Sequence, residues 1–351
     1  MNKHSNTYRR GRIAIILFAL LLVVLFVANL VVGSVNIPID EVASILSGNG
    51  SSNDAWELIM LQSRVPMAVT AVLAGAALAV SGLLMQTTFN NPLAGPSILG
   101  VSTGASLGVA IVMLALGGEF GSLFGSTVGG YISILAGALS GAALILILLI
   151  VFSSLVRGSS MLLIIGIMIS YLSSSVISLL NFFSTQEGVH SYVIWGLGNF
   201  SGVTTDSLPA FSVIIMAGIV WAILMAKPLN ALLLGARYAE NLGVNIRRTR
   251  NELLLITGIL TATATAFCGP IAFIGLVVPH IARLLINSSN HNILLPSTVL
   301  AGADIALLCQ LISVLPSSSV GIIPINAITP AIGVPVIIYI ILNRRKIQYF
   351  N

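Results

Sequence analysis

The chain has 351 residues, of which 57% are apolar and only 7% are charged. A soluble domain contains about a quarter charged residues, so this composition excludes a soluble globular protein and indicates one membrane domain over residues 1–351. The net charge of +5 comes from short basic clusters between apolar runs, a pattern that reflects membrane topology and gives no sign of nucleic-acid binding.

Ten apolar runs have roughly the length of about 20 residues that a helix needs to cross a bilayer. They are 13–32, 65–84, 97–116, 128–152, 161–182, 208–226, 253–267, 270–286, 296–315 and 327–342. The eighth run is short and nearly continuous with the seventh, so nine or eleven spans stay open. We predict an all-α membrane protein, a polytopic bundle of about ten transmembrane helices.

The basic residues between the spans set the predicted orientation, because Lys and Arg collect on the cytoplasmic side of a membrane. With ten spans and the N-terminus inside, every basic residue except Arg64 falls on the cytoplasmic side. Most acidic residues fall in the outer loops. Both termini are therefore predicted to be cytoplasmic.

A short amphipathic helix is predicted after the sixth span, within residues 228–250. Apolar residues recur there at helical spacing, between Pro228, which suits a first turn, and Gly243, which suits a helix end. Arg237 and Glu240 are spaced to form an ion pair. From the residues alone, this helix either lies on the lipid surface or contacts another protein.

The sequence contains no Gly-Lys pair and therefore no GxxxxGK[ST] loop for ATP hydrolysis. The histidines and the cysteines Cys268 and Cys309 have no metal-ligand spacing, so no cofactor is expected. Asp304 is the one clear ionisable residue in mid-membrane. Such a residue either packs in the bundle or takes part in transport, and a lone carboxylate is weak support for ion coupling.

Four segments resemble one known family. RVPMAVTAVLAGAALAVSGLLMQTTFNNPLAGPSILGVSTG spans 64–104, GARYAENLGVNIRRTR spans 235–250, GPIAFIGLVVPHIARLL spans 269–285 and IPINAITPAIGVP spans 323–335. In this order, and over most of the chain, they resemble the FecCD family of ABC-importer permeases.

The resemblance implies ten helices per subunit and a second permease subunit, expected to be an identical copy, around a central pathway. It also implies two copies of a cytoplasmic ATP-binding subunit, an extracytoplasmic substrate-binding protein and a multi-pass location in the bacterial inner membrane. The permease itself would not be an enzyme. The expected substrate is an iron chelate, a ferric siderophore or haem, with cobalamin as the alternative. An ion-coupled carrier that uses Asp304 is the rival class, and a membrane scaffold without transport is another.

The resemblance also implies roles for particular residues. The ATPase-coupling segment corresponds to Gly235, Ala236, Arg237, Ala239, Glu240, Leu242, Gly243 and Val244. The cytoplasmic gate corresponds to Asn91, Leu93, Gly158, Ser159 and Ser160; ordinary turn chemistry is the alternative for this set. Arg64 corresponds to an arginine that pairs with acids of the binding protein, and a snorkelling interfacial arginine is the alternative.

The sequence departs from the family pattern where charged residues are expected. Met67 stands in place of an arginine, and Gln310 and Val314 stand in place of an Asp and an Arg late in the ninth helix. Ile323 and Asn326 stand in place of an acid and a glycine near the last helix. The docking surface is therefore predicted to be less charged than is typical of the family.

Overall fold

The computed structural model describes residues 2–115, 127–156, 159–315 and 322–342. Within these ranges the chain is α-helical and has no strand, which confirms the predicted all-α class. The helices are α1 (Asn2–Val31), α2 (Ile39–Leu46), α3 (Asp54–Ile59), α4 (Val65–Thr88), α5 (Val101–Ala110), α6 (Thr127–Leu155), α7 (Ser159–Phe183), α8 (Gln186–Gly196), α9 (Leu208–Leu224), α10 (Ala226–Leu232), α11 (Ala236–Asn241), α12 (Ile246–Cys268), α13 (Ile274–Ile286), α14 (His291–Val314) and α15 (Ile325–Leu342).

Six helical stretches in the described residues are long and apolar enough to cross a bilayer. They are Arg9–Val31, Asp54–Thr88, Tyr131–Leu155, Met161–Phe183, Ile246–Cys268 and His291–Val314. The helices α9 and α10 form a further stretch that bends by 51°. Three shorter apolar helices correspond to the remaining apolar runs: Val101–Ala115, Ile274–Ile286 and Ile325–Ile340. The count of ten crossings and the side of the termini stay predictions.

The helices α4, α12 and α14 form the centre of the bundle. In the spans that contain them, 78%, 72% and 61% of the residues are buried, against 17% for the span in α7. The helix α4 packs against α14, α12, α13 and α9. By contrast, α1, α6 and α7 expose many large apolar side chains, as expected of helices that face lipid or a second subunit.

The bundle contains a break between α12 and α13, where Gly269 and Phe273 have positive φ angles of 76° and 67°. A break at membrane depth leaves backbone groups that need partners within the protein. Asn326 supplies several of these partners. Its Nδ2 donates to the carbonyls of Gly196 and Pro270 at 3.0 and 2.7 Å, and its Oδ1 accepts from the Ala272 N–H at 3.1 Å. The asparagine at this departure from the family pattern thus stabilises the break.

Glycines bring α4 into backbone contact with its neighbours. A Cβ at Gly82 would clash with the carbonyl of Gly275, and one at Gly75 would clash with the carbonyl of Gly302. Close backbone approach is the main source of helix association in lipid, where apolar side chains gain little by leaving the solvent. These glycines therefore determine how closely α4 packs on α13 and α14.

We expect Gly82→Ala to destabilise the bundle by about 1–3 kcal/mol, because the added methyl group overfills a backbone contact. The measurement is the melting temperature of the detergent-solubilised protein. Gly196→Ala is the matched control, since a Cβ at Gly196 meets no atom within 4 Å. Equal melting temperatures for the two variants would contradict this account of the packing.

Candidate functional site

The structure divides the predicted helix after the sixth span into two short helices. Helix α10 ends at Leu232 and α11 begins at Ala236, and Gly235 between them has a φ of 95°. Such an angle favours glycine and interrupts a helix. The prediction of one helix between Pro228 and Gly243 is therefore wrong, because the apolar periodicity continues through a residue at which the backbone turns. The predicted end at Gly243 is confirmed, with α11 stopping before it and a φ of 83°.

The segment around α11 presents an apolar stripe on its outside. Tyr238 and Leu242 lie one turn apart and are 66% and 63% exposed, and Leu234, just before the break at Gly235, is 61% exposed. Arg237 and Glu240 are exposed beside them, and the described residues show no ion pair between these two side chains. The stripe is a surface that either lipid or a partner protein would cover.

Ala239 has a different place from its neighbours. It is fully buried within the chain, whereas Ala236 is exposed. The N–H of Val244 donates to the Ala239 carbonyl at 3.0 Å, so the chain closes around this residue. Ala239 therefore shapes the segment and is not part of its exposed face.

The predicted gate is described only in part. Asn91 and Leu93 lie in the gate turn, residues 90–93, where Asn91 Oδ1 accepts a hydrogen bond from the Leu93 N–H at 3.0 Å. The Leu93 side chain is 44% exposed. Gly158 lies outside the described residues, and Ser159 and Ser160 are described only as the first residues of α7. The grouping of these residues with Leu93 stays a prediction.

A buried polar cluster behind the gate turn was not anticipated from the sequence. His280 Nε2 donates to the Pro92 carbonyl at 2.7 Å, since a carbonyl oxygen only accepts. Gln86 Nε2 donates to the Leu276 carbonyl at 3.1 Å, and its Oε1 accepts from Arg283 at 3.3 Å. The signal available in the sequence was the presence of polar residues within apolar spans, which typically marks functional positions.

Arg64 has its guanidinium group at the carboxyl end of α1. It donates to the carbonyls of Leu30 and Val31 at 2.6 and 2.8 Å and also to that of Val35. The side chain is only 7% exposed. The last carbonyls of a helix have no partner within the helix, so Arg64 caps α1. Its docking role stays a prediction, and the geometry gives it a structural role in addition.

Two departures from the family pattern contact each other. Gln310 Nε2 lies 2.6 Å from the sulfur of Met67, and Gln310 is buried. The family resemblance predicts a basic and an acidic residue at these two positions. Burying one charge without its partner is strongly destabilising, so the two neutral residues compensate for each other. The loss of charge at positions 67 and 310 therefore changes the interior of the bundle and not its docking surface.

Asp304 lies in α14, two residues from the close contact at Gly302. It is 3% exposed, and neither carboxyl oxygen has a hydrogen-bond partner in the described part of the chain. A role for Asp304 in ion coupling stays a prediction.

Comparisons with known proteins cover nearly the whole chain. The family model described as the FecCD transport family matches residues 21–343. The vitamin B12 import system permease protein BtuC of Klebsiella pneumoniae is 35% identical over 338 residues, 96% of each chain. Its namesake in Citrobacter koseri is 37% identical over 292 residues, 83% of this chain and 84% of that protein. A solved inward-facing structure of a metal-chelate type ABC transporter matches with a TM-score of 0.79 and 30% identity, covering 94% of this chain and 98% of that one.

We expect Arg64→Ala to lower the stability of the solubilised protein, because each helix carbonyl left without a partner costs about 1–3 kcal/mol. The measurement is thermal unfolding, with Arg237→Ala at an exposed position as the control that leaves the melting temperature unchanged. An Arg64→Ala protein with normal stability that no longer binds its binding protein would refute the capping role and support the docking role.

Proposed function

The chain belongs to the FecCD transport family and is an ABC-importer permease of that type, and from this premise we propose that it imports a metal chelate, with cobalamin as the first candidate. The observation that supports the proposal is the full-length similarity to vitamin B12 permeases. Cobalamin is itself a cobalt chelate, so the structural relative of metal-chelate type belongs to the same chemical class. The iron chelate expected from the sequence is the second candidate.

We propose that two copies of the chain surround the pathway in the bacterial inner membrane. On the cytoplasmic side, two copies of an ATP-binding subunit supply the hydrolysis for which this chain has no phosphate-binding loop. On the outer side, a substrate-binding protein delivers the chelate. The peripheral helices expose apolar faces, against which the second copy would pack.

The segment from Gly235 to Val244 is proposed to dock on the ATP-binding subunit. Tyr238 and Leu242, together with Leu234 directly before the segment, would be removed from water in that contact, and buried apolar area contributes about 25 cal/mol per Å². Arg237 and Glu240 flank the stripe and would fix its orientation, since charges at the rim of an interface mainly determine specificity. The positive φ at both end glycines gives the segment a defined shape for this role.

We expect the double variant Tyr238→Ala and Leu242→Ala to weaken assembly with the ATP-binding subunit about tenfold or more, as interface residues that cost over 1.4 kcal/mol do. Copurification and uptake should fall together, while binding of the substrate-binding protein persists. Leu224→Ala is the matched control, because Leu224 is 73% exposed at the end of α9, outside the segment. Normal assembly of the double variant would reject the coupling role and favour a helix that lies on lipid.

The substrate is tested in proteoliposomes that contain the assembled transporter, its binding protein and internal ATP. We expect uptake of labelled cobalamin that requires ATP and survives collapse of the ion gradients. Ferric siderophore and haem are measured in parallel in the same vesicles. Uptake of these alone would identify the iron-chelate alternative, and uptake that needs an ion gradient but no ATP would identify an ion-coupled carrier.

A further inference from the structure

A chain of hydrogen bonds, buried at the Thr87–His291 contact, joins the coupling side of the molecule to the end of α4. Asn230 lies in α10, His291 is the first residue of α14, and Thr87 lies in the last turn of α4. Asn230 Oδ1 lies 2.8 Å from the backbone nitrogen of His291 and 3.1 Å from its Nδ1. Thr87 Oγ1 lies 2.9 Å from Nε2 of the same ring. His291 and Thr87 are both buried.

The backbone of His291 fixes the direction of these bonds. A backbone N–H only donates, so the Asn230 atom that faces it is the amide oxygen. The same oxygen faces Nδ1, which must therefore donate, and Nε2 of the neutral ring accepts. The Thr87 hydroxyl then donates to Nε2. The Thr87 hydroxyl also lies 3.0 Å from the Leu83 carbonyl and shares its one proton with it, and Asn230 Nδ2 donates to Asn290 Oδ1 at 3.1 Å. Loss of the Thr87 hydroxyl or of the Asn230 amide oxygen would still break the chain at His291.

The same end of α4 holds the gate turn. The N–H of Asn90 donates to the Thr87 carbonyl at 3.2 Å, and the N–H of Asn91 donates to the Gln86 carbonyl at 3.0 Å. The turn is therefore bonded to the residue that contacts His291 and to its neighbour. A displacement of Thr87 would displace the gate turn with it.

We propose that Thr87 and His291 are positioning residues that transmit movement of the coupling segment to the gate turn. The inference rests on the proposed function, in which that segment docks on the ATP-binding subunit, and on the gate role that the family resemblance implies for Asn91 and Leu93. Helix α10 leads into the exposed α11 and packs against α14 and α4, so a shift of α11 acts on Asn230. His291 and Thr87 are buried, where no water replaces a broken hydrogen bond, so these two side chains move as one unit, with the half-buried Asn230 bonded to them.

The test uses the assembled transporter in proteoliposomes and measures the number of cobalamin or ferric chelate molecules imported per ATP hydrolysed. Thr87→Val keeps the shape of the side chain and removes its hydroxyl, whereas Thr87→Ser keeps the hydroxyl. The control is Thr88→Val, because the Thr88 hydroxyl bonds only within its own helix, to the Leu84 carbonyl at 2.7 Å.

We expect Thr87→Val to lower the ratio of import to hydrolysis about tenfold, the equivalent of one lost buried hydrogen bond. Thr87→Ser and Thr88→Val should retain the wild-type ratio. Asn230→Ala breaks the chain at its other end and should lower the ratio in the same way, so a folding defect in one variant does not decide the outcome.

Two results would overturn the inference: an unchanged ratio in Thr87→Val, or an equal fall of the ratio in Thr88→Val. If Thr87→Val has an unchanged ratio and a lower melting temperature, the hydrogen-bonded chain has a purely structural role. If the wild-type transporter itself shows no ATP-dependent import, the proposed function fails. That result is distinguishable from a change of ratio in a working transporter.

Discussion

The structure depends on one constraint: backbone polar groups at membrane depth have no water and must find partners within the protein. The long helices meet this requirement by themselves. At several places where helices end or break, side chains supply the partners instead. Arg64 caps α1, Asn326 bridges the break before α13, and His280 holds the Pro92 carbonyl of the gate turn.

The polar side chains can do this only because the helices are packed closely enough to reach one another. Glycine contacts bring α4 within backbone distance of α13 and α14, and the residues of the polar cluster lie on these same helices. Close packing and polar contacts are therefore two parts of one arrangement. In the proposed function both would be needed, because the centre would stay sealed while the end of α4 responds to the segment around α11.

Three of the residues that depart from the family pattern are matched by contacts inside the bundle. Met67 and Gln310 replace two expected charges and contact each other, so no charge is left unpaired between them. Asn326 stands in place of a glycine and supplies two hydrogen bonds to the break and one to the Gly196 carbonyl at the end of α8. In both cases the residue that differs from the pattern is explained by its neighbours in space, which are distant in sequence.

The sequence alone determined the membrane class, the ten apolar runs and the family, because hydropathy and motif order depend only on the order of residues along the chain. It also predicted that the helix within residues 228–250 ends at Gly243. Only the tertiary structure decided that Gly235 divides that segment, that Ala239 is buried, and that Arg64 caps α1. The hydrogen bonds of His291 to Asn230 and Thr87 were likewise invisible, since they join residues that are 61 and 204 positions apart. Periodicity reports which face of a helix is apolar, whereas these contacts depend on which helices meet.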